Sequence, residues 1–212
     1  MMTEEQLASR LVQGMEALKL NATEQQVQQL LDYLQLLVRW NQAYNLTAVR
    51  DPAEMISKHL LDSLSILPYV EGQQITDVGS GAGLPGIPLA IMRPEMSVLS
   101  IDSNGKKTRF QFQVKSALKL DNFMVQQART ETFQPATRSQ QLVSRAFASL
   151  GDFLRLTQPL ATEDARWLAM KGQYPEDELK DLPEGFLCQQ SHLLQVPGEE
   201  GQRHLLILVK QA

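Results

Sequence analysis

Three glycines at alternate positions, Gly79, Gly81 and Gly83, stand between a short β-type run at 75–78 and an apolar segment at 87–92. Glycine permits positive φ and carries no Cβ, so the backbone can turn sharply at the carboxyl end of a strand and a ligand can lie directly on it. An ordinary tight turn has a similar composition, and the surrounding residues must decide between the two. The order of strand, glycine-rich turn and helix favours a binding loop for a nucleotide-like ligand.

Two carboxylates accompany this loop. Asp102 ends a second β-type run, 23 positions after Gly79, which is near the spacing at which a second strand presents an acid to ribose hydroxyls. An exposed strand end or a helix cap is the alternative for Asp102. Asp77 lies two positions before Gly79, where an acid suits a ligand with ammonium and sulfonium charges better than one with two phosphates.

The spacing of the glycines separates two cofactors that carry a ribose. The dinucleotide fingerprint places its third glycine three residues after the second, whereas the glycines here alternate and are followed by Pro85 and Pro88. The sequence therefore favours S-adenosylmethionine, and hydride transfer with a dinucleotide is the least supported enzyme function.

The composition indicates one domain with an extension. Of 212 residues, 43% are hydrophobic and 21% are charged, which is enough to bury one sizeable core. We expect an N-terminal helical extension at 1–70 and a core domain at 71–212, in a monomer whose one core accounts for all the apolar stripes. No run approaches the roughly 18 apolar residues that span a bilayer, and the acidic start does not resemble a signal peptide. We therefore expect a cytoplasmic protein.

Cysteine and histidine usage argues against a metal. Cys188 is the only cysteine, and His59, His192 and His204 are far apart. These counts exclude an internal disulfide and a cysteine-rich zinc site. We expect no metal.

Charge is distributed unevenly, although the formal net charge is only −4. The segment 103–119 holds no acid and five bases, which are Lys106, Lys107, Arg109, Lys115 and Lys119. A solvated helix face is the usual explanation of such a run, and contact with phosphates is the alternative.

Helices are expected before the first strand. The first covers 1–22, and the second starts after Thr23, which forms a capping box with Gln26, and runs to about residue 40. Trp40 and Tyr44 then belong either to the core or to a loop that lines the site. A third helix at 52–67 holds His59 and Asp62 one turn apart, as a structural hydrogen bond or, less favoured, a catalytic dyad.

From residue 75 the pattern alternates strand and helix, which specifies an α/β fold with a mostly parallel sheet covered on both faces. Strands are expected at 75–78, 98–101, 123–126, 141–144, 165–170, 186–196 and 203–209, and helices at 86–92, 105–118, 149–158 and 175–181. The polar segment 196–202 is too short for a crossover helix, so the last two strands form a hairpin and one strand is antiparallel. This hairpin is typical of a methyltransferase-like Rossmann variant.

Ligands of such sheets lie outside the carboxyl ends of the strands. Five segments meet there: 79–86, 102–107, 127–131, 144–148 and 171–172. Within the segment after the fourth strand, Arg145 is cationic where an acceptor should approach, and could hold a phosphate, a base oxygen or the cofactor carboxylate.

Nearly the whole chain resembles one family, ribosomal RNA small subunit methyltransferase G, also called the glucose-inhibited division protein B family. The matching stretches are Trp40-Asn41 with Asn45-Leu46-Thr47, 59–64, 77–91, Asp102-Ser103 with Lys106-Lys107, Arg129 with Glu131, Ser144-Arg145-Ala146, and Lys171-Gly172. Leu84 stands where the family often has phenylalanine, and Ala128 and Thr130 replace the usual glycine and alanine around Arg129.

The resemblance implies a class I methyltransferase with a seven-stranded sheet. It implies methyl transfer from S-adenosylmethionine to N7 of one guanosine in the decoding-region loop of 16S ribosomal RNA, within the small ribosomal subunit. The expected cofactor-binding residues, from motif and resemblance together, are Asp77, Gly79, Gly81, Gly83, Leu84, Asp102, Thr130, Glu131 and Arg145. The expected RNA-binding residues are Lys106, Lys107, Arg109, Lys115 and Lys171.

The residue inventory agrees with this chemistry. Guanine N7 has a lone pair and no proton to lose, so its attack needs alignment more than a general base. Methylation of a pyrimidine carbon would use a cysteine nucleophile, and Cys188 is far from Arg145 in sequence. Two alternatives remain open: transfer to another RNA, a protein or a small molecule, and a non-catalytic RNA-binding or assembly module.

Overall fold

The structure is a computed structural model that describes residues 2–145 and 147–211. Ala146, which belongs to the predicted segment after the fourth strand, lies outside the described residues.

A seven-stranded sheet forms the centre of the described part of the chain. Its strands are β1 (Gln74–Val78), β2 (Ser97–Asp102), β3 (Phe123–Gln127), β4 (Ser139–Ser144), β5 (Ala161–Lys171), β6 (Phe186–Leu194) and β7 (Arg203–Lys210). The strand order is β3-β2-β1-β4-β5-β7-β6. Strands β1 to β5 run parallel, and β7 is antiparallel to both β5 and β6. The predicted hairpin with one antiparallel strand is confirmed.

Helices cover both faces. They are α1 (Glu4–Ala17), α2 (Glu24–Tyr44), α3 (Pro52–Met55), α4 (Asp62–Leu64), α5 (Gly86–Met92), α6 (Gly105–Leu118), α7 (Leu150–Thr157) and α8 (Glu176–Lys180). The predicted capping box of Thr23 and Gln26 is present at the start of α2. Strand β5 begins at Ala161, four residues before its predicted start, and the register of its pairing with β4 shifts between Ser139 and Gln141.

Helix α2 ends later than its apolar stripe predicts. Asn45 caps it in the left-handed conformation, with φ 51°, which asparagine tolerates better than most residues. The Asn41 side chain then accepts from Thr47 N–H at 2.9 Å and donates to the Val49 carbonyl at 3.1 Å. The unusual helix end therefore fixes the following loop, while Tyr44 itself is 45% exposed.

The prediction of one continuous α-helix at 52–67 is wrong, because a π-helical turn interrupts it and its last α-helical residue is Leu64. Residues Ile56–Leu61 form a π-helical turn between α3 and α4, and a 3₁₀ turn follows at Leu67–Tyr69. Isolated π turns occur frequently at functional sites, and this one carries His59.

Two hydrophobic clusters lie on opposite faces of the sheet. The first unites α1 and α2 with α5 and α6, and the second packs α7 and α8 against the other face. The first cluster contains residues from both sides of position 70. The division into an extension at 1–70 and a core domain at 71–212 therefore stays a prediction. Within the described residues, no helix is long and apolar enough to cross a membrane.

Candidate functional site

The glycine-rich loop joins β1 to α5. Gly79, Gly81 and Gly83 have φ of 70°, 60° and 87°, a region that costs other residues free energy. Gly79 N–H donates to the Ile101 carbonyl at 2.9 Å, so the loop folds over the end of the neighbouring strand. Each alternate glycine is therefore required by the backbone conformation.

Buried polar side chains brace this loop from two helices. Tyr33 of α2 donates its hydroxyl to the Ala82 carbonyl at 2.9 Å, and Gln111 of α6 donates to the Gly81 carbonyl and to Ser80 Oγ, each at 2.8 Å. Ser100 Oγ donates to the same Ser80 hydroxyl at 2.6 Å. These groups are not predicted above from the sequence, where the available signal was a tyrosine and a glutamine at positions that α2 and α6 turn toward the core.

Asp102 lies directly beside the loop. Its Oδ2 accepts from Gly81 N–H and its Oδ1 accepts from Asn104 N–H, each at 2.8 Å. The side chain is mostly buried, with 8% exposure. Asn104, and not Asp102, caps α6 by accepting from Lys106 and Lys107 N–H. The carboxylate is therefore held at the edge of the loop by two backbone groups.

Asp77 is fully buried beneath the same loop. Its Oδ2 accepts from Gly86 N–H at 2.8 Å, while Oδ1 has no hydrogen-bond partner among the described residues. Burial raises the pKa of Asp77 from 3.8 to about 7, against a smaller lowering by the Gly86 hydrogen bond and the Arg145 charge. A buried carboxylate oxygen without a partner is the group that a cation can satisfy.

Arg145 follows β4 and faces α4. Its Nη1 lies 2.6 Å from Asp62 Oδ2 and 3.4 Å from the Lys58 carbonyl. Burial lowers the pKa of His59 to about 4, and the Arg145 charge acts in the same direction. His59 Nε2 bonds Thr47 Oγ1 at 2.9 Å. The His59 and Asp62 side chains therefore each bond elsewhere, and the predicted hydrogen bond between them is replaced by these two contacts.

Two cavities meet at His59 and Arg145. The loop cavity, of about 210 Å³, is lined by Leu46, Thr47, His59, Gly79, Ser80, Gly81, Ala82, Leu84, Lys107 and Arg145. The outer cavity, of about 420 Å³, is lined by Val49, Lys58, His59, Asp62, Arg145, Met170, Lys171, Gly172, Leu194, Arg203 and His204. A small ligand in one cavity would therefore lie next to a ligand in the other.

The predicted RNA-binding residues are dispersed. Lys106 and Arg109 are exposed on α6, Lys115 is half-buried on the same helix, and Lys107 lines the loop cavity. Lys171 lines the outer cavity and pairs with Glu178 at 2.9 Å.

Thr130 and Glu131 form a 3₁₀ turn after β3. Ala128, just before this turn, donates its N–H to the Asp102 carbonyl at 3.2 Å. The turn is thus attached near Asp102, while neither residue lines the two cavities. A contact of Thr130 or Glu131 with the cofactor stays a prediction.

Comparison with known proteins identifies a family. The family described as rRNA small subunit methyltransferase G matches residues 26–206. A relative from Pseudomonas syringae pv. syringae (strain B728a), named ribosomal RNA small subunit methyltransferase G, is 54% identical over 98% of this chain and 97% of its own. A relative of the same name from Stutzerimonas stutzeri (strain A1501) is 56% identical over 95% of this chain and 94% of its own.

Solved structures show the same fold at low identity. A SAM-dependent methyltransferase from Aquifex aeolicus matches with a TM-score of 0.59 and 18% identity, over 78% of this chain and 97% of that one. The glycopeptide N-methyltransferase MtfA, solved with S-adenosylmethionine, matches with a TM-score of 0.60 and 8% identity, over 72% of this chain and 88% of that one. The class I methyltransferase fold predicted from the sequence is confirmed.

Proposed function

We propose, because the chain belongs to the rRNA small subunit methyltransferase G family, that it transfers a methyl group from S-adenosylmethionine to N7 of one guanosine in the decoding-region loop of 16S ribosomal RNA. The observation that carries this proposal is the pair of cavities that meet at Arg145 and His59. One adjoins the glycine loop, and the other is large enough for a nucleobase.

The residues around the loop fit S-adenosylmethionine, which supplies an electrophilic methyl group on its sulfonium when bound. The unpartnered Oδ1 of Asp77 suits the ammonium group of the methionine part, and Asp102 at the loop edge suits the ribose hydroxyls. Gly79, Gly81, Gly83 and Leu84 would lie against the ligand. Thr130 and Glu131 follow β3 where the adenine part is expected.

The outer cavity suits a purine turned out of its stack. Val49, Met170 and Leu194 supply apolar surface, and Arg145 and Lys58 supply donors. Guanine carries acceptors at both O6 and N7, whereas adenine has a donor amine at its sixth position. A cationic wall therefore favours guanine. Arg145 lines both cavities, so its contact with O6 would hold the adjacent N7 near their junction.

Transfer to N7 needs no general base. His59 is close to the junction, but with a pKa of about 4 its ring is neutral at neutral pH and adds no charge to oppose the cationic product base. Its bond to Thr47 holds the ring in place. The contribution of this chain is thus to align two ligands and to exclude water between them.

The function is tested by transfer of labelled methyl groups from S-adenosylmethionine to small ribosomal subunits, naked ribosomal RNA, transfer RNA and protein. Chemical cleavage at N7-methylguanine then locates the label. We expect label at a single guanosine of 16S ribosomal RNA in the assembled subunit, with the enzyme acting as a cytoplasmic monomer. Label in another acceptor would refute the proposed substrate while retaining the methyl donor.

Asp102→Asn should weaken binding of S-adenosylmethionine by roughly 1 to 3 kcal/mol, since an amide offers one acceptor where the ribose hydroxyls would meet two. Asparagine can accept from only one of the two backbone N–H groups and turns its NH2 toward the other. Thermal unfolding of the variant therefore shows whether the loop stays folded. Calorimetric titration measures the affinity, and Asp121→Asn on an exposed loop is the matched control. An unchanged affinity would place Asp102 outside the ribose site.

Lys106 and Arg109 should contribute to RNA affinity through phosphate contacts. Replacing both with alanine should reduce the slope of log K against log salt concentration by about 1 to 2, because each phosphate contact releases roughly one counterion. Affinity for the ribosomal subunit should fall while donor affinity stays constant. Arg155→Ala, a surface arginine on α7 paired with Asp152, is the control. An unchanged salt slope would indicate that Lys106 and Arg109 belong to a solvated helix face and do not contact phosphates.

A further inference from the structure

Four alternating charges connect the candidate site to the loop of the β6–β7 hairpin. Arg145 Nη1 lies 2.6 Å from Asp62 Oδ2, and Arg203 Nε lies 3.2 Å from Asp62 Oδ1. Arg203 Nη2 then lies 3.1 Å from Glu199 Oε2. Asp62 is almost fully buried, with 4% exposure, so its carboxylate is shared between two guanidinium groups away from bulk water.

The two arginines differ in how many of their side-chain N–H donors are available to a ligand. Arg203 donates from Nη2 to Glu199 at 3.1 Å and from Nη1 to the Gln202 carbonyl at 2.9 Å, while its Nε forms an ion pair with Asp62 Oδ1 that is not a hydrogen bond. Within the described part of the chain, Arg145 engages only Nη1, with Asp62 and the Lys58 carbonyl. Arg203 is therefore committed to the protein, and Arg145 keeps donors for a ligand.

The loop that carries Glu199 is held against the π-helical turn. A Cβ at Gly198, whose φ is +79°, would lie 2.4 Å from Ser57 Oγ and 3.0 Å from Arg10 Nη2. The hairpin loop thus packs closely on the turn that precedes Asp62 in sequence. This close packing holds the loop that carries Glu199 against the π-helical turn.

We infer that Arg203 and Glu199 are positioning residues for methyl transfer: they orient Asp62, which in turn fixes the guanidinium of Arg145 at the junction of the two cavities. The Arg203 charge lies beside Oδ1, so Oδ2 is the oxygen that accepts from Arg145 Nη1. A rigid, pre-oriented donor stabilises an aligned acceptor better than a donor that must be ordered on binding. The inference rests on the proposed function, since Arg145 must hold the acceptor.

The first test is a double-mutant cycle on turnover. Arg203→Gln should lower kcat about tenfold, with the donor Kd unchanged, and Arg203→Lys should recover part of the loss. In an Arg145→Lys background, Arg203→Gln should lower kcat further by less than about twofold, because the residue that Arg203 positions is already altered. Glu199→Gln removes the charge at the end of the same series of ion pairs, and it should lower kcat less than Arg203→Gln does. Arg166→Gln, which removes an arginine paired with Glu71, is the matched control.

Thermal unfolding of each variant shows whether a lower turnover results from unfolding of the protein. Full turnover in Arg203→Gln would overturn the inference, and so would losses that multiply in the double variant. A fall in kcat that merely follows the fall in unfolding temperature would also overturn it.

The second test needs no acceptor and so separates this inference from the proposed function. The ¹⁵N–¹H signal of the Arg145 side-chain Nε, assigned by its loss in Arg145→Lys, should shift or broaden in Arg203→Gln. It should not change in Arg166→Gln. A signal that stays sharp and unshifted in Arg203→Gln would refute the coupling, whereas absence of methyl transfer by the wild type would refute only the function.

Discussion

Arg145→Ala should lower the rate of methyl transfer by about 10²-fold or more, the range seen when one pre-oriented hydrogen-bond donor is removed from an active site. Arg145 lines both cavities and is anchored by Asp62. Without it, the acceptor loses a donor beside the reacting atom and the two ligands lose their alignment. The measurement is single-turnover transfer to small ribosomal subunits at saturating donor.

Arg145→Lys serves as the matched variant. Lysine keeps the charge but cannot bond Asp62 and an acceptor with the geometry of a planar guanidinium, so an intermediate rate is expected. Circular dichroism and thermal unfolding verify the fold of both variants, because Arg145→Ala leaves Asp62 with Arg203 alone. Normal turnover in Arg145→Ala would assign this residue a structural role only.

Asp77→Asn should weaken S-adenosylmethionine binding about 10- to 100-fold, since a charge-assisted bond to the ammonium group is worth roughly 1.5 to 3 kcal/mol. The variant should nevertheless be more stable than the wild type at pH 8 when no donor is present. Asparagine can still accept from Gly86 N–H, and it cannot ionise.

The pH dependence follows from the raised pKa of Asp77, about 7 in the folded protein against 3.8 ordinarily. The folded state holds the proton more tightly, so the stabilising effect of the protonated group is complete below pH 4 and is lost as pH rises to 7. This difference corresponds to on the order of 4 kcal/mol. Between pH 4 and 7 the wild type should therefore lose stability relative to Asp77→Asn.

Calorimetric titration and denaturant unfolding across pH 4 to 8 measure both effects, with Asp121→Asn as an exposed control. Donor affinity of the wild type should rise with pH through 7, as Asp77 ionises, and the affinity of Asp77→Asn should not follow that rise. Equal donor affinities would place Asp77 outside the site, and parallel stability curves would contradict a raised pKa.

Much of the framework is predictable from local sequence. Periodicity located the strands and most helices, because the alternation of apolar residues is set by the geometry of each element. The Thr23 capping box and the polar hairpin connection are also local signals, and both predictions are confirmed. The positive φ at Gly79, Gly81 and Gly83 agrees with the chemistry of glycine. Helix 52–67 was less predictable, because its apolar residues fit an α-helical period and do not reveal the i→i+5 bonding of the π-helical turn.

The partners of the site residues were decided by the tertiary structure. The sequence by itself determined the fold class and the residue types at the ends of the strands, Asp77, Asp102 and Arg145 among them. Only the packing brought Arg203 to Asp62 and Tyr33 to the glycine loop. Burial in the folded chain is the largest cause of the shifted pKa of Asp77 and of His59, and the Arg145 charge further lowers the pKa of His59. The physical reason is that propensity and periodicity act over a few residues, whereas burial and ion pairing depend on segments that are distant along the chain.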